Sequence, residues 1–149
     1  MIQIEPYSDL YFLDVLKIVE NFHKESVIEY DATFDVQAVI RTIKTQTETN
    51  ANGAFLLIVD GKCEGLLFGV QTKSLLNDSQ MFQEIIWYVN KPFRRYGVNL
   101  LREVENRLKL SGVSTMIMAV MENSKTEKIK SFYKRLGYKP METHFVRTL

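Results

Sequence analysis

The chain of 149 residues has one cysteine, two histidines and a net charge of only +1. A lone cysteine, Cys63, forms no disulfide within the chain and cannot supply a multi-cysteine metal site. It points to a reducing compartment, and a cytoplasmic protein is the expectation. His23 and His144 have no metal-ligand partner at a recognised spacing, so both read as structural and no metal is expected. The near-neutral charge gives no bulk reason to bind nucleic acid or a membrane surface. No apolar run approaches the length of a membrane span. The opening residues MIQIEPYSD lack the basic-then-apolar pattern of a secretory signal. Repeats, low-complexity tracts and linkers are absent too. What remains is ordinary globular composition, 46% apolar and 25% charged, in one domain spanning residues 1–149.

The elements follow from periodicity and punctuation. Ile2-Gln3-Ile4 alternates as a short strand, and Ser8 or Asp9 caps a helix after it. Leu13, Leu16, Val19 and Phe22 form that helix's apolar stripe, with Phe12 and Val15 alongside. A second helix is expected from Asp35 to about Thr47, with Val36, Val39, Ile40 and Ile43 buried. Residues 45–53 read as a loop. Ala54–Val59 and a partner from about Cys63 to Thr72 form a hairpin around Asp60-Gly61. Gly65 and Gly69 mark a bulge or a close backbone approach. Asn77-Asp78-Ser79 turns the chain into a third strand ending at Val89. A helix follows, closed near Ser111-Gly112. Met116–Val120 reads as a strand parallel to the one before that helix. A last helix, about Thr126 to Leu136, has Ile129, Phe132, Tyr133 and Leu136 on one face, and Tyr138–Val146 supplies a final strand. The order β-α-α-β-β-β-α-β-α-β predicts an α/β (α+β) protein. Its central sheet is mixed, mostly antiparallel, and flanked by helices.

The richest stretch is Gln83–Leu101, QEIIWYVNKPFRRYGVNLL. An apolar run from Ile85 to Val89 breaks at Asn90-Lys91-Pro92. Arg94, Arg95, Tyr96 and Gly97 follow, and helical spacing begins with Leu100, Leu101, Val104 and Leu108. A strand, a basic loop with one glycine and a helix bring backbone N–H groups and a positive helix end to one point, a natural seat for a phosphate. From Lys91 to Lys109 six basic residues stand against two acidic ones, a local excess of +4.

Arg94-Arg95-Tyr96-Gly97-Val98-Asn99 resembles the acyl-CoA motif of the GNAT superfamily of N-acetyltransferases, Q/R-x-x-G-x-G/A. Asn99 departs from it at the sixth position. Phe132-Tyr133-Lys134-Arg135-Leu136-Gly137-Tyr138 resembles the family's second signature, F-Y-x-x-L-G-F/Y. The two blocks stand in the family's order, and the expected elements match its fold. The compact size and the closing GYKPMETHFVRTL are also similar to small GNAT proteins of bacteriophages.

The resemblance implies a GNAT-like N-acetyltransferase that moves an acetyl group from acetyl-CoA to a primary amine by direct transfer. A rival reading is a GNAT-fold module that binds CoA or a protein partner and catalyses nothing. By resemblance, Arg94, Arg95, Tyr96, Gly97, Val98, Asn99 and Leu100 hold the pyrophosphate, backbone near Val89 pairs with pantetheine, and Thr126 touches CoA. Thr126 and Ser124 also compete as N-cap of the last helix. Tyr133 is the candidate general acid. Glu84 is the candidate base, provided the strand register turns it, and not Gln83, inward; a water chain is the alternative. Glu25, Glu29 and Tyr30, in an acidic connection between the first two helices, are candidate acceptor-binding residues, and the acidity favours a cationic amine. The acceptor is a small molecule or protein amine, and the protein a monomer or homodimer.

Overall fold

A computed structural model describes residues 1–27, 34–122 and 125–149. The chain divides into two compact units, residues 1–119 and 120–149. The first holds a five-stranded sheet in the order β1-β2-β3-β4-β5. The strands are β1 (Ile2–Pro6), β2 (Ala54–Val59), β3 (Lys62–Lys73), β4 (Gln80–Val89) and β5 (Val113–Ile117). Neighbours from β1 to β4 are antiparallel, and β5 joins β4 in parallel. The helices of this unit are α1 (Phe12–Phe22), α2 (Val36–Thr49) and α3 (Gly97–Leu110). The mixed, mostly antiparallel sheet with flanking helices is the fold expected from the sequence.

Strand parity divides the core. Leu56, Ile58, Leu66, Phe68, Ile86 and Tyr88 join the stripes of α1 and α2 in one apolar cluster. On the other face α3 buries Leu100, Leu101, Val104 and Leu108. There Gly97 lies beside Trp87 and Val89, and the Arg107 guanidinium stacks over Phe55 at 5.9 Å.

Several local expectations need correction. The buried stripe of α1 is Val15, Ile18, Val19 and Phe22, while Leu13 is 74% exposed. Uniform three-residue spacing drifts around a helix of 3.6 residues per turn; the observed i, i+3, i+4, i+7 set does not. Residues 45–49 continue α2. Thr45, Thr47 and Thr49 turn their hydroxyls back to carbonyls of the preceding turn, so these polar residues sit within the helix. Strand β5 begins at Val113, immediately after Gly112 turns the chain at φ 95°, and it stops short of the expected Val120. The Asp60-Gly61 turn is as expected, with both residues at positive φ.

The second unit contains α4 (Thr126–Arg135). Gly137, at φ 91°, turns the chain beyond the helix. The expected strand from Tyr138 to Val146 does not form. Pro140 offers no ladder donor, and Met141, Phe145 and Val146 are exposed.

Candidate active site

The site is built where β4 outruns its neighbour. The parallel ladder with β5 ends at Gln83 opposite Ile117, while β4 continues to Val89. Asn90 N–H donates to the Glu64 carbonyl on the β3 side. By alternation along the strand, Trp87 and Val89 present their backbone groups to the other edge, which β5 has left.

A bulge sets which side chain serves that edge. Phe68 pairs with Ile86 but Gly69 pairs with Glu84, so Ile85 is the extra residue. Paired without a bulge, the same sequence would put Glu84 on the face of Ile86, in the α1–α2 core. With it, Glu84 turns to the opposite face and is 6% exposed, and Gln83 points outward. Gly69 makes this possible: a Cβ there would lie 2.4 Å from both the Gln83 carbonyl and the Phe82 ring.

The Glu84 carboxylate accepts the Ala119 N–H at 2.9 Å and the backbone N–H of Trp87. Burial pushes its carboxyl up to about 7, against the pull of those two amides. A buried carboxyl half-ionised near neutrality is suited to accept a proton.

The Glu25 carboxylate has the opposite surroundings. A π-helical turn, His23–Val27, ends α1 and carries Glu25 to the far end of β4. Tyr88 donates its hydroxyl to Glu25 at 2.8 Å, Arg94 donates through Nη2, and Lys91 Nζ lies 3.7 Å away. Burial raises the Glu25 carboxyl, but the Tyr88 and Arg94 hydrogen bonds and the two cations outweigh it and hold it below its ordinary value. Burial and the Glu25 carboxylate together push the Tyr88 phenol up to about 12. Asn90 ties the junction to β3 and α1, donating to Glu64 at 2.7 Å and accepting from Asn21 at 3.2 Å.

From Asn90 the chain runs through a 3₁₀ helix, Lys91–Tyr96, straight into α3. The expected open basic loop is therefore helical. No side chain caps either start. Arg94 Nε donates to the Val89 carbonyl at 3.2 Å. Arg95 stacks on Tyr96 and has no ion pair among the described residues. Gly97 is buried in ordinary helical geometry, at φ −59°. A Cβ there would meet only Trp87 and Val89, at 3.6 and 3.7 Å, so packing does not demand a glycine. Val98 is half-buried and Leu100 fully buried, so Leu100 has only its backbone to offer a ligand. Asn99 is exposed and lines a shallow depression of about 490 Å³ with Ile2, Ile4 and Arg102. That depression lies along β1 and does not contain Glu84.

In the second unit Tyr133 is 7% exposed and packs against Tyr138, ring centroids 5.4 Å apart. Thr126 is the first residue of α4, and its hydroxyl donates to Met121 O at 2.9 Å. The cap position belongs to Lys125; Ser124 lies outside the described residues, as do Glu29 and Tyr30.

The structure thus brings Val89, Arg94 and Gly97 to one end of β4, with Glu84 at the notch. It draws Glu25 into the same corner, paired with cations. Sequence reasoning missed Tyr88 and Asn90, one absorbed into the apolar strand and the other into the break after it. Among the described residues no three His, Cys, Asp or Glu side chains group as metal ligands, and no helix is long and apolar enough to cross a membrane.

The fold is that of the GNAT acetyltransferases. An acetyltransferase of Trypanosoma brucei superposes at TM-score 0.74 with 12% identity, over 100% of both chains. Glucosamine-6-phosphate N-acetyltransferase from Arabidopsis thaliana gives 0.73 and 11%, over 99% of this chain and 98% of that one. A protein described as a transcriptional regulator from Bacillus halodurans gives 0.77 and 15%, over 100% of both. At such identities the likeness is one of fold. The similarity to phage proteins finds no support among these structures. No protein-family model and no curated protein matches the chain.

Proposed function

We propose that the protein is an N-acetyltransferase that transfers an acetyl group from acetyl-CoA directly to a primary amine, with Glu84 as the base. The carrying observation is the Glu84 carboxyl itself, buried at the notch between β4 and β5 and poised near neutrality by burial. It would take the proton that the acceptor amine must lose. Tyr133 would protonate the departing thiolate, a role that rests on the FY-KRLG resemblance.

The residues fit an acyl-CoA in three respects. The edge of β4 beyond Gln83 has lost its partner strand, as amide pairing with a pantetheine arm requires. Arg95, which has no ion pair among the described residues, stands beside the start of α3, which no side chain caps, and an anion would be favourable there. Gly97 gives up helix propensity where packing does not ask for it, which leaves room for close approach of a pyrophosphate. When bound, acetyl-CoA supplies the activated acetyl group.

The acceptor is an amine of a small molecule or a protein. Glu25 does not support the cationic-acceptor expectation, because its charge is met by Arg94 and Lys91. The rival is a GNAT-fold module that binds without catalysis; one fold neighbour is described as a transcriptional regulator.

The test is release of free thiol from acetyl-CoA across a panel of amines. The rate should rise with pH to a plateau, with a midpoint near 7. CoA binding without thiol release for any amine would favour the rival.

A further inference from the structure

The open edge of β4 is covered by side chains of this chain. Glu84 holds the Trp87 N–H, and Arg94 Nε holds the Val89 carbonyl at 3.2 Å. One carboxylate and one guanidinium thus stand where a further strand would pair. The Arg94 cap does not stand alone. Its Nη2 donates to Glu25, its Cζ lies 5.6 Å from the Tyr88 ring centroid, and the Tyr88 hydroxyl holds the same carboxylate at 2.8 Å. Lys91 Nζ is 3.7 Å from Glu25 on the same corner.

We infer that Glu25 is a positioning residue that acts through Arg94, clamping its guanidinium on the edge of β4 and thereby setting the affinity for acyl-CoA. The inference rests on the acyl-CoA reading of the site. A pantetheine amide that pairs with the Val89 carbonyl must take the place of Arg94 Nε. Displacing that group means loosening its ion pair with Glu25. The same carboxylate also draws Arg94 away from an incoming phosphate. A neutral residue at position 25 should therefore make the site easier to open and more attractive to an anion. Glu25 is thus a brake on binding and not an acceptor-holding group.

The opposing view is that Glu25 only ties α1 to the junction. It predicts lower stability on substitution, with CoA affinity unchanged or weakened. Calorimetric titration of CoA into the full-length chain separates the two. Glu25→Gln keeps the size and an acceptor oxygen but removes the charge, and CoA should bind about 3- to 10-fold tighter. In an Arg94→Gln background the same substitution should bring no gain, since the effect passes through Arg94. Tyr88→Phe, which loosens one hold on Glu25 and keeps the ring, should tighten binding by a smaller factor and serves if Glu25→Gln fails to fold. Unchanged or weaker binding in Glu25→Gln, or a gain that survives in the Arg94→Gln background, overturns the inference.

A second readout needs no coenzyme. The Arg94 Nε–H should exchange slowly with water by NMR in the parent chain and at least several-fold faster in Glu25→Gln. Equal exchange removes the clamp. If the parent chain does not bind CoA at all, the acyl-CoA reading falls, and the exchange measurement still decides whether the clamp exists.

Discussion

Two carboxylates serve the same strand, and their surroundings push them in opposite directions. Glu84 lies in the notch beside β5, with backbone amides as its partners among the described residues, and burial lifts its carboxyl to about 7. Glu25 lies at the far end of β4, less buried and faced by Arg94, Lys91 and Tyr88, and stays below its ordinary value. The lesson is about burial and partners together. At the deeply buried Glu84 two amide donors leave most of the desolvation cost standing, whereas at the less buried Glu25 two cations and a phenol outweigh it. The first site can exchange a proton at neutral pH; the second holds a fixed charge and uses it to position a neighbour.

The largest test of that contrast is Glu84→Gln. It should lower turnover by about 10²- to 10⁴-fold, with CoA affinity changed only a few-fold, read by thiol release and calorimetry. Activity close to the parent would reduce Glu84 to a strand-edge cap like Arg94.

Next in size is Gly69→Ala, which strikes the turning of Glu84 instead of its chemistry. With a backbone oxygen 2.4 Å from the new Cβ, the bulge must shift. A loss of about 2–4 kcal/mol in denaturant unfolding is expected.

The pH dependence of stability separates the two carboxyls directly. A carboxyl raised from 4.5 to about 7 in the folded chain binds more protons there than in the unfolded chain. Its contribution to stability is complete below about 4.5 and is lost as pH rises towards 7, by roughly 3 kcal/mol in all. Glu25 has the opposite sign: its stabilisation is present above its unfolded value and lost as pH falls through its lowered one. Urea midpoints measured from pH 4 to pH 8 should show the falling limb in the parent and not in Glu84→Gln.

The smallest effect is expected at Gly97, near the Glu25 corner. Gly97→Ala should stabilise the chain by about 0.5–1 kcal/mol while weakening CoA binding. Tighter or equal binding would mean that the glycine is not kept for a ligand.

Much of this was legible from residue order. The Asp60-Gly61 turn, the Gly112 stop and the strand–helix unit around Gly97 follow from local rules, because turns and caps are decided by neighbours in the chain. Gly65 and Gly69 flagged register shifts correctly, and both lie beside one. The direction of Glu84 was not legible. Gln83 and Glu84 differ little in pattern, and the extra residue, Ile85, resembles Ile86 beside it. Only pairing with β3 tells them apart. Nor was the pairing of Glu25 with cations and a phenol, which depends on a π-helical turn meeting residues more than sixty positions away. Glu25 read as an acceptor-binding carboxylate because sequence shows the carboxylate and not its partners.

The single inserted residue at Ile85 has one more consequence. The location of the Glu84 carboxylate is fixed by counting, not by its own chemistry. Deleting Ile85 should close the bulge and leave Glu84 next to Ile86, on opposite faces as regular alternation demands, so the carboxylate keeps its place; re-pairing the intact strand without the bulge would instead carry Glu84 into the apolar layer beneath α1. A substitution scan across this strand would therefore rank Ile85 as dispensable, and a deletion scan should find it among the more tolerant positions of β4.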